Sequence, residues 1–196
     1  MNSPFQSRND AISTDEALRA ARFALKIAEK DKVRSAICGG LAMHLYGFTR
    51  ATKDVDFIAD LEIQLPKDKN LSFGGFAYKV EIEGKEYEID WILRNDDQKD
   101  LYVGALRDVI FTDDGLPIIT PEWLVILKHI AGRGKDHMDC VWLLRKDNLV
   151  NRATVFHLIK AVMGKHAFWA IKDLESVMLE ADLMKAKDEL GDKNGS

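Results

Sequence analysis

The chain has 196 residues, 46% of them hydrophobic, with 28 Lys+Arg against 32 Asp+Glu and a formal charge of −4. That composition allows one domain of ordinary size with an appendage and a real core. It argues against a protein that coats nucleic acid by neutralising phosphates, leaving room only for a local basic patch.

Cys38 and Cys140 lie in apolar settings without CxxC spacing, the pattern of buried free thiols in a reducing compartment. The first ten residues are polar, and no apolar run approaches the ~18 residues of a membrane span. The expectation is a cytoplasmic protein with no membrane partner.

In chain order, Ser13 stands three residues before Glu16 as in a capping box, and Leu18, Ala21, Leu25 and Ala28 recur at helical spacing, with Phe23 and Ile27 widening the stripe. This predicts a helix over 14–30. Residues 33–38 read as a short buried strand running into Gly39-Gly40, and 41–46 as a helix ended by Gly47. Arg50 and Lys53 come just ahead of an acidic strand over 54–59. Residues 60–75 read as a loop with one short helical turn.

A hairpin follows: Tyr78, Val80 and Ile82 alternate with polar residues, Glu83-Gly84-Lys85 turns the chain, and Tyr87, Ile89 and Trp91 alternate back. Glu86 and Glu88 are read as solvent-facing. Residues 109–111 and 117–119 read as short strands, and Thr120-Pro121 as a helix start. Helices are predicted over 121–131, 135–145, 154–163 and 167–187, with Trp123, Trp142 and Trp169 in their core and 191–196 frayed.

The chemistry centres on acids. Side chains alternate across a strand, so Asp54 and Asp56 share a face, while Asp90 sits where its strand becomes apolar on both sides. Neighbouring carboxylates repel, and a hard divalent cation is the natural partner of three of them; magnesium takes oxygen ligands and works with substrate phosphates. Glycines at 39 and 40 let a phosphate approach the backbone. Together these features point to phosphoryl or nucleotidyl transfer, with two ions serving an in-line displacement.

Cys38-Gly39-Gly40, Asp54-Val55-Asp56-Phe57 and Ile89-Asp90-Trp91 resemble the motif of the nucleotidyltransferase superfamily related to DNA polymerase beta. The run from Lys128 to Asp139 is similar to the K-x-x-A-x-R-x-K-D-x-x-D segment of the AbiEii-like branch, the toxin half of certain toxin–antitoxin pairs. The stretch from Gly39-Gly40 to Arg50-x-Thr52 is similar to that of antibiotic nucleotidyltransferases.

The resemblance implies that Asp54, Asp56 and Asp90 are catalytic and bind two Mg2+ ions, with Asp90 helping to deprotonate the acceptor. It also implies that Gly39 and Gly40 face the triphosphate of an NTP. Lys128, Arg133 and Lys135 become candidates for nucleotide or acceptor contacts, alongside Arg50 and Lys53. One departure is Gly40, where many members of the family have Ser.

The expected fold is α/β (α+β). A small mixed-sheet nucleotidyltransferase core over 1–119, flanked by helices, precedes a C-terminal helical region over 120–190. The acceptor stays open among an RNA end, a protein hydroxyl and a small molecule, and an antitoxin protein is a possible partner. The alternative on the same fold is a non-catalytic nucleotide-binding or toxin–antitoxin interaction module; a phosphohydrolase is a third reading.

Overall fold

The computed structural model describes residues 11–48 and 52–193, so Arg50 and the last three residues lie outside it. The chain divides into two compact units: residues up to Asp96 together with Phe111–Ile118, and Asp97–Ile110 together with everything from Ile119 on.

The first unit carries a seven-stranded mixed sheet in the order β3-β4-β5-β2-β1-β7-β6. Its strands are β1 (Ser35–Ile37), β2 (Asp54–Ala59), β3 (Lys67–Asn70), β4 (Gly75–Ile82), β5 (Lys85–Ile92), β6 (Ile110–Phe111) and β7 (Pro117–Ile118). β4 and β5 form the hairpin expected from their alternation. Glu83 and Gly84, both at positive φ, make the two-residue turn whose twist suits a hairpin. β5 then lies parallel to β2, pairing Val55 with Ile89, Asp56 with Asp90 and Phe57 with Trp91.

That register sorts the two faces of the sheet. Val55, Phe57, Ile89 and Trp91 are fully buried on one side. The Phe57 and Trp91 rings are 5.2 Å apart, and Trp91 Nε1 donates to the Leu61 carbonyl at 2.8 Å. The acids fall on the other side.

Helix α1 (Thr14–Asp31) has the predicted capping box between Ser13 and Glu16 and ends at Lys32 in the left-handed conformation. It lies against β1, β2, β4 and β5. Its buried residues are Ala17, Ala20, Ala21, Ala24 and Ala28, whereas Leu18, Leu25 and Ile27 are half-buried and Phe23 is exposed. Of the stripe expected from periodicity, Ala21 and Ala28 are in the core and Leu18 and Leu25 sit at its margin, because small side chains let the helix approach the strands closely. Helix α2 (Gly39–Leu45) follows β1 directly and buries Leu41, Ala42 and Met43.

The second unit is helical: α3 (Lys99–Arg107), α4 (Pro121–Ala131), α5 (Gly134–Arg145), α6 (Arg152–Met163) and α7 (Ala167–Lys193), with one 3-10 turn at Gly164–His166. α4 starts at Thr120, whose side chain accepts from Trp123 N, and ends at Gly132 at φ +66, where a residue without Cβ is favoured. Trp123 is the centre of this unit. It is fully buried, donates from Nε1 to Asp108 at 2.9 Å, and packs so closely on Gly104 that a Cβ there would lie 2.7 Å from its ring.

Three expectations are corrected. The 60–75 stretch contains an edge strand, β3, instead of a helical turn; its four residues are all exposed, so no apolar alternation marked it. α3 had no counterpart in the periodicity because it buries only Leu101, Gly104 and Ala105. Trp169 is exposed on α7 and does not join the core. No helix among the described residues is long and apolar enough to cross a membrane, and both cysteines are free and buried.

Candidate active site

The parallel pairing of β2 and β5 brings Asp54, Asp56 and Asp90 together on one sheet face. One ligand oxygen from each lies within 4.8 Å of the others. Asp54 and Asp56 are half-buried; Asp90 is 9% exposed, and its Oδ1 is buried with no hydrogen-bond partner among the described residues.

Burial, reinforced by the charges of Asp56, Asp54 and Glu88 and opposed by Lys69, pushes the Asp90 carboxyl up to about 7. Three carboxylates this close cannot all stay ionised cheaply without a cation. Their all-oxygen donor set and the unsatisfied Oδ1 fit a hard divalent ion such as magnesium.

The backbone fixes Asp56 from both sides. Gly40 N donates to Asp56 Oδ2 at 3.2 Å, and Cys38 N donates to the Asp56 carbonyl at 2.9 Å. Gly39 adopts φ +58, and a Cβ built there would stand 1.8 Å from Asp56 Oδ2. The glycine is therefore required twice, by conformation and by space. The sequence reading expects this turn to face a phosphate; the structure adds that the Gly40 amide donates to Asp56.

Asp54 is fixed by Thr52, which the sequence reading named in the Arg50-x-Thr52 stretch without giving it a role. Thr52 is buried, and its Oγ1 donates to the Asp54 carbonyl at 3.0 Å and lies 3.4 Å from Asp54 Oδ1. Ile12 N in turn donates to the Thr52 carbonyl at 2.9 Å, tying the chain ahead of α1 to the foot of β2.

Glu88, expected to face solvent, is half-buried beside Asp54 and accepts from Lys69 Nζ at 2.7 Å. Its alternation with Asp90 was the available signal. Lys69 itself, on β3, had none. His44 on α2 has Nδ1 2.9 Å from Thr14 Oγ1, so it serves the contact between α1 and α2.

Of the candidate cations, Lys53 is exposed next to Asp54, and Arg50 lies outside the described residues. Lys128, Arg133 and Lys135 belong to the second unit. Lys128 is 6% exposed, with Nζ 2.6 Å from Asp139 and 3.2 Å from Asp136. Arg133 reaches the same Asp136 at 2.5 Å.

Burial alone would raise the Asp136 carboxyl, but the hydrogen bonds and charges of Arg133 and Lys128 hold it below its ordinary value. Asp136 makes these ion pairs in the first turn of α5. Lys135 is exposed.

No protein-family model matches the sequence, and no curated protein matches it. Solved structures do. A crystal structure of an antigenic nucleotidyltransferase-like protein from Paracoccidioides brasiliensis superposes with TM-score 0.55 at 16% identity, over 90% of this chain and 94% of that one. The fold is nucleotidyltransferase-like. The solution structure of the antibiotic-resistance factor ANT(2'')-Ia also matches, with TM-score 0.42 at 13% identity, over 93% of this chain and all of that one. On this nucleotidyltransferase-like fold, the three acids occupy adjacent central strands beside the Gly39-Gly40 turn.

Proposed function

We propose that this chain is a magnesium-dependent nucleotidyltransferase that moves a nucleoside monophosphate from an NTP onto a hydroxyl. The observation that carries the proposal is the convergence of Asp54, Asp56 and Asp90, with one buried oxygen unpartnered, on a nucleotidyltransferase-like fold.

Asp54, Asp56 and Asp90 would hold two ions. When bound, magnesium neutralises the triphosphate and makes the acceptor hydroxyl more acidic. Asp90, the most buried of the three, is the base proposed to take the hydroxyl proton as the oxygen attacks the α-phosphorus. The bond between the α- and β-phosphates breaks and pyrophosphate leaves.

Gly40 and Thr52 orient Asp56 and Asp54. Lys53, exposed and next to Asp54 in the chain, is the cation proposed for the phosphates, whereas Lys128 and Arg133 already bind carboxylates.

The acceptor class is proposed from the resemblance alone. The Lys128–Asp139 segment supports an RNA end or a protein hydroxyl, within a cytoplasmic toxin–antitoxin pair. The Arg50-x-Thr52 stretch supports a small molecule.

The test incubates wild-type protein and Asp56→Asn with each α-labelled NTP, magnesium and acceptors of the three classes, following label and pyrophosphate. Label transfer by wild type and its loss in the variant are expected. NTP binding in calorimetry without any pyrophosphate would replace the enzyme with a binding module, and phosphate or pyrophosphate release without labelled acceptor would make it a hydrolase. Equal transfer by the variant would refute the assigned site.

A further inference from the structure

Helix α7 carries two apolar faces. Leu174, Val177, Met178 and Ala181 are buried on the inner one, where α7 meets α5 and α6. On the opposite side, Trp169, Leu179, Leu183, Ala186 and Leu190 follow one another on a repeat of alternating three- and four-residue steps, whose other two positions are Lys172 and Ser176.

All of these outer residues are exposed: Trp169 by 73%, Leu179 by 60%, Leu183 by 56% and Leu190 by 62%. Phe168, also exposed, meets Trp169 edge-on at 5.1 Å and extends the stripe at its start. A helix that is apolar on opposite sides is ordinarily covered on both, and a 3.5-residue repeat is the spacing that receives another helix. An exposed apolar strip of this length, interrupted at Lys172 and Ser176, marks an interaction site.

The residues bordering the strip say what covers it. Asp173, Glu180 and Lys187 line one edge, and Glu175, Asp182 and Glu189 the other. Local ion pairs hold several of them in place: Glu180 with His137, Asp182 with Arg152 and Glu175 with Lys172. Such exposed pairs are weak and leave the edge predominantly acidic.

A second copy of the chain is a poor fit. Parallel copies would oppose Glu175 to Glu180 and match only Asp182 with Lys187, and antiparallel copies would set the Glu175, Asp182 and Glu189 row against itself.

We propose that the outer face of α7 is a docking surface for an amphipathic helix of another protein that carries Lys or Arg on both sides of its apolar seam. The apolar strip supplies the affinity, and the acidic borders select the partner and its register.

The test uses the full chain and two synthetic helical peptides of about 28 residues, four heptads, with Leu along the seam and either Lys or Glu at every bordering position. Trp169 fluorescence and anisotropy report binding, and sedimentation reports the state of the chain alone. The Lys peptide is expected to bind a monomeric chain roughly tenfold or more tightly than the Glu peptide.

Leu183→Glu should abolish binding with an unchanged circular dichroism spectrum. Glu175→Lys with Glu189→Lys, which leaves the strip intact and leaves three acids against three lysines on the borders, should abolish the preference. Equal binding of both peptides, or of neither, by the wild-type chain would overturn the proposal. Self-association that Leu183→Glu disrupts would assign the face to a second copy, and binding of phosphatidylcholine vesicles in place of the peptide would assign it to lipid; either result refutes the helix partner.

Discussion

Replacing Asp90 by Asn removes a charge from the most buried position of the acid cluster while keeping its shape. In the folded protein without metal, Asp90 holds its proton up to about 7, whereas in the unfolded chain it releases it near 3.8. Between those values the native state binds more protons than the unfolded one, so raising the pH lowers stability.

At ~1.4 kcal/mol per pH unit the gap integrates to an upper bound of ~4 kcal/mol, and solvent relaxation around the half-buried neighbours reduces this to ~2 kcal/mol. Urea unfolding in EDTA should therefore find Asp90→Asn more stable than wild type by ~2 kcal/mol near pH 8. The difference should shrink through pH 7 and vanish near pH 4. Adding magnesium should reverse the order, because only wild type keeps the third carboxylate. A difference that does not vary with pH, or an Asn variant less stable at pH 8, would show that the acids do not repel as described.

Gly39→Ala meets both a positive φ and a 1.8 Å clash with Asp56. Unfolding should show a loss of at least ~1–2 kcal/mol, and calorimetry should show weakened magnesium binding. Lys128→Ala leaves Asp136 and Asp139 buried without their shared cation, so thermal unfolding should report ~3–5 kcal/mol of destabilisation. Thr52→Val deletes the hydroxyl that fixes Asp54 and should cost ~1 kcal/mol with weaker metal binding, while Thr52→Ser restores both.

The pair Asp54 and Asp56, the hairpin and the odd position of Asp90 were all legible, because each depends on local alternation. Nothing in the spacing said that β5 would lie parallel to β2, and that pairing is what sets Asp56 beside Asp90 and draws Glu88 to Asp54. Strand β3 was hidden because backbone pairing with β4, not an apolar face, keeps Lys67–Asn70 in the sheet. At α1 the stripe was half legible: Ala21 and Ala28 are buried as expected, but Ala17, Ala20 and Ala24 took the contact assigned to Leu18 and Leu25. Lys128 entered as a candidate for phosphate or acceptor contacts through the resemblance of its segment, and spacing did not say that its carboxylate partners would come from the next helix. Trp169 read as core because apolar content does not distinguish a covered face from an open one.

Parallel neighbours cannot be joined by a tight turn, so β2 emerges from synthesis with that edge bare and must wait until β3, β4 and β5 have been made. Pairings this distant in sequence form late. Asp56 and Asp90 meet only once β5 has paired with β2, so the appearance of ion affinity during refolding would timestamp that pairing.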